Sequence, residues 1–249
     1  MQLKVLGSSS KGNCYLLDNG NECLVIEAGI SFREVQEAVN YDIRRIRGLI
    51  ITHEHMDHAK HLKKFMDAMI PVYMSDGTRN AVKVKEEQRR RIRTIGTSYA
   101  ATPIGRFSVC GFWVNHDAEQ PFGYVIEHPE MGRMIFATDT KDLPYTFPGV
   151  NHMVIECNYD RAILERNIKD GRVDPARAMR IKETHMSFSQ CLKELSYTDM
   201  KAVRNIVLIH LSNDNADGER FRETITELTG RHTTVAAPGV CIEVNKQPF

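Results

Sequence analysis

Apolar residues in the first third of the chain fall into short runs and alternating stretches. Residues 2–6, 14–18 and 23–27 read as strands, residues 31–40 as an amphipathic helix, and residues 48–52 as an apolar strand. That last strand runs directly into Thr52-His53-Glu54-His55-Met56-Asp57-His58, after which Leu62, Phe65, Met66 and Met69 recur at helical spacing. The histidine-rich segment is therefore expected on a loop between a strand end and a helix start, where catalytic groups commonly sit. Further strands are predicted at 107–114, 122–127 and 132–138, the last ending in Ala137-Thr138-Asp139. A helix at 188–198 follows Ser187 as N-cap, and the apolar run Ile206-Val207-Leu208-Ile209 delivers His210 at another strand end. Alternating strands and helices predict an α/β protein with helices packed outside sheets.

The 249 residues are 42% apolar and 26% charged, ordinary globular composition with material for a sizeable core. No repeat, low-complexity stretch or Pro/Gly-rich linker interrupts them, so a single domain over 1–249 is expected. Lys plus Arg (33) nearly balances Asp plus Glu (32), so any nucleic-acid surface must be local. Six cysteines without a CxxC pair read as reduced thiols. No apolar run reaches membrane-spanning length, and a soluble cytoplasmic protein with no membrane partner is the expectation. Oligomeric state is not readable from the sequence.

Residues 53–58 hold three histidines and one aspartate. In an extended segment positions i and i+2 point the same way, so His53 and His55 can present two imidazoles to one ion while Asp57 and His58 turn to a neighbouring position. Imidazole nitrogen mixed with carboxylate oxygen suits Zn and tolerates Mn or Fe.

This segment resembles the HxHxDH signature of the metallo-β-lactamase superfamily, which implies a four-layer αββα sandwich and a two-metal site. Carried over motif by motif, the resemblance implies that His53, His55 and His116 hold one divalent ion and Asp57, His58 and His210 the other, with Asp139 bridging. Within the superfamily, Leu6-Gly7-Ser8-Ser9-Ser10-Lys11-Gly12-Asn13-Cys14-Tyr15, His116-Asp117-Ala118 with Pro121 and Gly123-Tyr124, Glu156-Cys157-Asn158 and His210-Leu211-Ser212 resemble the YycJ/WalJ group. That likeness implies a 5′-to-3′ exonuclease acting on DNA. One departure is Glu27, where the group has Asp before Ala-Gly.

Two divalent ions can share one hydroxide as nucleophile and stabilise charge on both oxygens of a phosphodiester. A departing alkoxide also needs a proton. His185, in Thr184-His185-Met186-Ser187, resembles the non-ligand histidine of superfamily nucleases such as tRNase Z and is the expected proton donor or phosphate stabiliser, oriented by Glu156. Asp57, His185 and Glu156 are thus the expected catalytic residues. Ser8, Ser9, Ser10 and Asn13 form a small-residue loop able to meet a phosphate, and Asn158 and Ser212, in the motifs that resemble the group, are expected with them to contact substrate. Lys83, Lys85, Arg89, Arg90, Arg91 and Arg93 form a basic segment that can track a nucleic-acid backbone. His61, His128, His152 and His232 lack a partner pattern and are expected on the surface. The same ligands serve thioesterases and small-molecule phosphodiesterases, and a non-catalytic metal-binding module is the remaining alternative.

Overall fold

The strands at Gly12–Asp18 and Cys23–Ile26 are buried on both faces, as a continuous apolar run such as Cys23-Leu24-Val25-Ile26 requires, whereas the strand at Gln2–Ser9 alternates. The structure is a computed structural model that describes residues 1–97 and 101–247. It divides into two compact units: Met1–Trp113 with Ala118–Arg133 and Ala237–Phe249, and Val114–Asp117 with Met134–Ala236.

The first unit begins with β1 (Gln2–Ser9), β2 (Gly12–Asp18) and β3 (Cys23–Ile26), which pair antiparallel in turn. Helix α1 (Phe32–Ala38) opens on Ser31, whose Oγ accepts the Glu34 N–H and donates to the Glu34 carboxylate, a reciprocal cap. Then come β4 (Ile46–Ile50), α2 (Met56–Ala59), α3 (Leu62–Asp67), β5 (Val72–Met74), α4 (Asp76–Ala81), α5 (Glu86–Arg89) and β6 (Arg93–Thr94). Strands β3, β4, β5 and β6 pair parallel, so the histidine loop leaves the end of a central strand. Val25, Leu49, Leu62, Phe65 and Val72 share one buried cluster, which anchors that strand and the helix after the loop. An antiparallel group follows, β7 (Thr102–Ile104), β8 (Phe107–Trp113) and β9 (Phe122–His128).

The second unit takes most of β10 (Gly132–Ala137), then β11 (His152–Glu156), α6 (Arg161–Lys169), α7 (Pro175–Thr184), α8 (Phe188–Tyr197), β12 (Asn205–Ile209), α9 (Gly218–Thr229) and β13 (His232–Val235). Strands β10 to β13 are parallel neighbours, with Ala137 opposite Ile155 and Ile155 opposite Leu208. Their C-terminal ends therefore lie along one edge, where open α/β sheets place their ligands. Ser187 caps α8 as expected, accepting the Gln190 N–H at 3.2 Å. The chain then returns to the first unit with β14 (Cys241–Glu243), which pairs antiparallel with β1.

The expected strands and helices stand within a few residues of their predicted bounds, and mixed sheets with helices give the α/β class. Among the described residues no helix is long and apolar enough to cross a membrane.

Candidate metal centre

In the first unit the loop after β4 is held from two sides. Tyr124 of β9 donates its hydroxyl to the Ile51 carbonyl at 2.5 Å, and the Phe122 N–H donates to the Thr52 carbonyl at 3.1 Å. From the other side, the Ala28 N–H donates to the His58 carbonyl at 2.7 Å, and the His61 N–H to the Ala28 carbonyl at 2.9 Å. Gly29 is glycine for a steric reason: a Cβ there would sit 1.8 Å from the Asp57 carbonyl oxygen. The clamped segment gathers its imidazoles, His53 edge-on to His55 with ring centroids 4.6 Å apart and tilted against His58 at 4.1 Å. Asp57 adds a carboxylate oxygen 3.3 Å from His58 Nε2.

Glu27 follows β3 with a left-handed backbone, φ 68°, and is fully buried. Its Oε1 accepts the Thr52 N–H at 3.2 Å and lies 3.5 Å from His58 Nδ1, so the glutamate reaches the loop that its shorter homologue would support. Burial raises its carboxyl pKa above the ordinary value, partly countered by His58. Asn13, expected to meet substrate, is buried with its amide 3.2 Å from His58 Nε2, and it donates to the Ser9 carbonyl at 3.1 Å.

In the second unit the ligand-type residues arrive singly. Asp139 and His210 stand just past β10 and β12 with φ 48° and 55°, a conformation that costs an L-residue about 1–2 kcal/mol. Together with Glu156 and His185 they offer donor atoms within 4.8 Å of one another. Glu156 is the hub. Its Oε1 accepts from His185 Nδ1 at 2.7 Å and His210 Nδ1 at 3.0 Å, while Oε2 accepts the Thr140 N–H at 2.9 Å and the Met186 N–H at 3.1 Å. Burial alone would raise its pKa, but His185, His210 and their bonds hold it below the ordinary carboxylate range. For His185 burial pulls the pKa down, yet the charge and hydrogen bond of Glu156 leave it raised. His116 faces the Thr184 carbonyl through Nδ1 at 3.1 Å, which fixes hydrogen on that nitrogen and turns Nε2 toward Asp139 Oδ1 at 3.8 Å. Its pKa is lowered, chiefly by burial, which favours the neutral form that metals bind.

The donor chemistry of each unit fits a divalent ion: imidazole nitrogens beside carboxylate oxygens, with Glu156 aiming the rings of His185 and His210 in the second. The organisers Thr140 and Thr184 act through a backbone N–H and a carbonyl, for which a sequence carries little sign; Thr140 Oγ1 also accepts the Asn115 N–H at 3.0 Å. Asn158 donates to the His210 carbonyl at 2.7 Å. Ser212 spends its Oγ on the Asn215 N–H and amide, at 3.2 and 3.1 Å, within a turn. Ser8 Oγ accepts from the Tyr15 hydroxyl at 2.8 Å and Ser9 Oγ from the Lys11 N–H at 3.3 Å, leaving Ser10 exposed at the hairpin tip.

Two surface expectations are overturned. His128 is 3% exposed, because it ends β9 facing inward with Nε2 3.2 Å from Glu22, and His152 is 0% exposed, at the start of β11 beside Asn205. The basic segment is also less available than its composition implies. Arg89 donates to the Arg79, Asn80 and Val82 carbonyls, Arg91 to the Met66 carbonyl, and Arg93 to the Tyr73 hydroxyl. Arg90 pairs with Glu86 at 3.4 Å. The guanidiniums of Arg89, Arg91 and Arg93 brace the first unit, while Arg90 stays exposed.

Residues 9–140 match the sequence profile of the metallo-beta-lactamase superfamily. The exodeoxyribonuclease YycJ of Bacillus anthracis is 26% identical over 243 residues, covering 92% of this chain and 89% of that protein. The exodeoxyribonuclease WalJ of Streptococcus pneumoniae serotype 2 is 24% identical over 235 residues, covering 85% and 81%. The metallo-beta-lactamase fold protein YhfI from Bacillus subtilis superposes with a TM-score of 0.70 at 14% identity, over 97% of this chain and 98% of its own, which shows a shared fold. Since the profile match alone spans more than half of its length, the chain belongs to the metallo-beta-lactamase superfamily, a family of metal-dependent hydrolases.

Proposed function

We propose that residues 1–249 act as one catalytic domain, a binuclear phosphodiester hydrolase that degrades DNA stepwise from the 5′ end. In this reading His53, His55 and His116 hold one divalent ion, Asp57, His58 and His210 the other, and Asp139 serves both. Zn or Mn suits this mixture of donors. When bound, two such ions lower the pKa of a water and stabilise charge on the oxygens of a phosphodiester.

The observation that carries the reading is the His185–Glu156 pair, 2.7 Å apart and beside Asp139 and His210, with the glutamate fully buried and the histidine partly exposed. A thiolate leaves readily, since thiols ionise near pH 8.5. An alkoxide is far more basic than a thiolate and needs a proton as it departs. A carboxylate that keeps an imidazole charged above its ordinary range supplies an acid that a thioesterase does not require. Glu156 is a positioning residue here: committed to four donors, it orients His185 and His210 rather than meeting substrate. Ser8, Ser9 and Ser10, in and beside the β1–β2 turn, are the proposed phosphate contacts, and Asn13, Asn158 and Ser212 are proposed as further substrate contacts. DNA as substrate follows from the likeness to two exodeoxyribonucleases. Six free cysteines, four of them buried, suit the reducing cytoplasm, where we place its action.

The test is digestion of end-labelled single- and double-stranded DNA and RNA by protein reconstituted with Zn or Mn, alongside a p-nitrophenyl phosphodiester and a thioester. Mononucleotides released in order from the 5′ end of DNA are expected. Faster turnover of the thioester, or of short cyclic nucleotides over any polymer, would sink the reading.

A further inference from the structure

Beside the histidine loop the first unit carries a groove of about 500 Å³, within the range of about 300–1,000 Å³ typical of ligand pockets. Its floor is apolar, with Met56, Ala59, Leu62, Val82 and Val84, and His55 forms part of its wall. Met56 is 61% exposed, a large apolar side chain held in solvent immediately after a ligand-type histidine. Three lysines from three places in the chain converge on the rim: Lys60 after α2, Lys63 in α3 and Lys83 after α4. All three are exposed and, among the described residues, none makes an ion pair. One acid, Glu54, also lines the groove, so three positive charges against one negative leave +2 around it. Glu54 is itself tied to its own chain, accepting the Glu119 N–H at 2.8 Å.

We propose that this groove seats one nucleotide of a single-stranded stretch of the substrate, its base on the Met56 floor and its flanking phosphates on Lys60, Lys63 and Lys83. The assignment rests on the phosphodiesterase reading above and names the substrate form that site takes. An apolar floor rewards a flat base, which polarisable Met contacts well. Lysines around it reward repeated negative charge. A base stacked inside a duplex has neither face to offer, so an unpaired strand fits and an intact duplex does not. His55 in the wall makes the groove continuous with the loop proposed to bind metal.

The test uses the full-length, metal-loaded protein and a fluorescein-labelled, cleavage-resistant phosphorothioate 12-mer, with binding followed by anisotropy across a NaCl series. The triple variant Lys60→Gln/Lys63→Gln/Lys83→Gln is expected to raise Kd at least about tenfold at low salt. It should flatten the log–log salt slope by about 2, at roughly 0.7 for each single-strand phosphate lost. Met56→Gln should weaken the 12-mer by about two- to tenfold while leaving an abasic 12-mer unaffected. Metal content and melting temperature of each variant check that the fold is intact. An intact triple variant with wild-type Kd and salt slope overturns the proposal, as does a Met56 variant that weakens intact and abasic strands equally. The two readings fail separately. Wild-type protein that cuts no nucleic acid, but whose triple variant loses the 12-mer, would keep the groove and remove the nuclease. Protein that cuts DNA while the triple variant binds normally would do the reverse.

Discussion

Glu27 in the first unit and Glu156 in the second each close an apolar strand, are fully buried and stand beside a ligand-type histidine, but their surroundings are unlike. Glu27 accepts one backbone N–H at 3.2 Å, lies 3.5 Å from His58, and its Oε2 has no hydrogen-bond partner. Glu156 accepts two imidazole and two backbone donors. Burial dominates the first and pushes its carboxyl toward the protonated form, whereas donors dominate the second and keep it ionised. The difference follows from how ligands reach each place. Residues 53–58 are consecutive and are clamped by backbone hydrogen bonds, so Glu27 adds little to their aim. Asp139, His185 and His210 come from separate segments, and only a shared buried anion can register them.

The largest effect should come from a ligand in the second unit. If Asp139 serves both ions, Asp139→Ala reduces phosphodiester hydrolysis to background and lowers bound metal at both positions, whereas His53→Ala lowers mainly one. Metal counts per chain decide this, and equal losses in the two variants would dissolve the distinction between the units. Next in size is His185→Ala. It should retain metal yet slow DNA cleavage by about 10²–10⁴, the range for a lost general acid. A p-nitrophenyl ester, whose leaving group needs no proton, should lose far less; equal losses would rule out proton donation.

What the sequence discloses about the site follows the same division. Four ligand-type side chains in six positions after an apolar strand form a local signal, and the flanking strand and helix stand where their pattern implies, although Asp57 and His58 fall in the short helix α2 and not on the loop. His116, Asp139 and His210 are legible only through resemblance, because each is one polar residue at a strand end. The role of Glu156 is hidden: its partners at positions 140, 185, 186 and 210 become neighbours only when parallel strands align their ends. His128 and His152 mislead for a related reason, since their partners Glu22 and Asn205 are 106 and 53 positions away. Helices α6 and α7 bury few residues, chiefly Leu164 with Asn167 and Ala178 with Thr184, so their apolar period is faint. The basic segment reads as a surface patch because composition cannot show guanidiniums turned onto backbone carbonyls.

A smaller loss, distributed over affinity and stability, is expected for Glu156→Gln. The amide places an NH₂ group where two donors already point, leaving buried donors unsatisfied at about 1–3 kcal/mol. Melting should fall by about 2–4 °C for each kcal/mol lost, and metal affinity by about 10–100-fold. Titration calorimetry and a thermal melt read the two quantities. A variant with unchanged melting and affinity would show that the hub is dispensable.

The smallest effect belongs to Glu27→Gln, and its sign with pH separates the two glutamates. In metal-free protein the folded Glu27 has a raised pKa, so between its unfolded and folded values the native state holds a proton that the unfolded chain has released. Its contribution is therefore whole below the unfolded value and declines as pH rises through the folded one. Glu156 runs the other way, with a depressed pKa whose contribution is present above the unfolded value and lost as pH falls through the folded one. Glutamine removes the titration at either place. Relative to wild type, Glu27→Gln should thus gain stability as pH climbs above the ordinary carboxylate range, and still accept the Thr52 N–H through its side-chain carbonyl. Glu156→Gln should instead gain relative to wild type as pH falls below that range. Melting temperatures of the three EDTA-treated proteins across acid and neutral pH test this directly. If Glu27→Gln proves as destabilised at neutral pH as Glu156→Gln, the first carboxylate is held by charge as firmly as the second, and the proposed contrast between the two units fails.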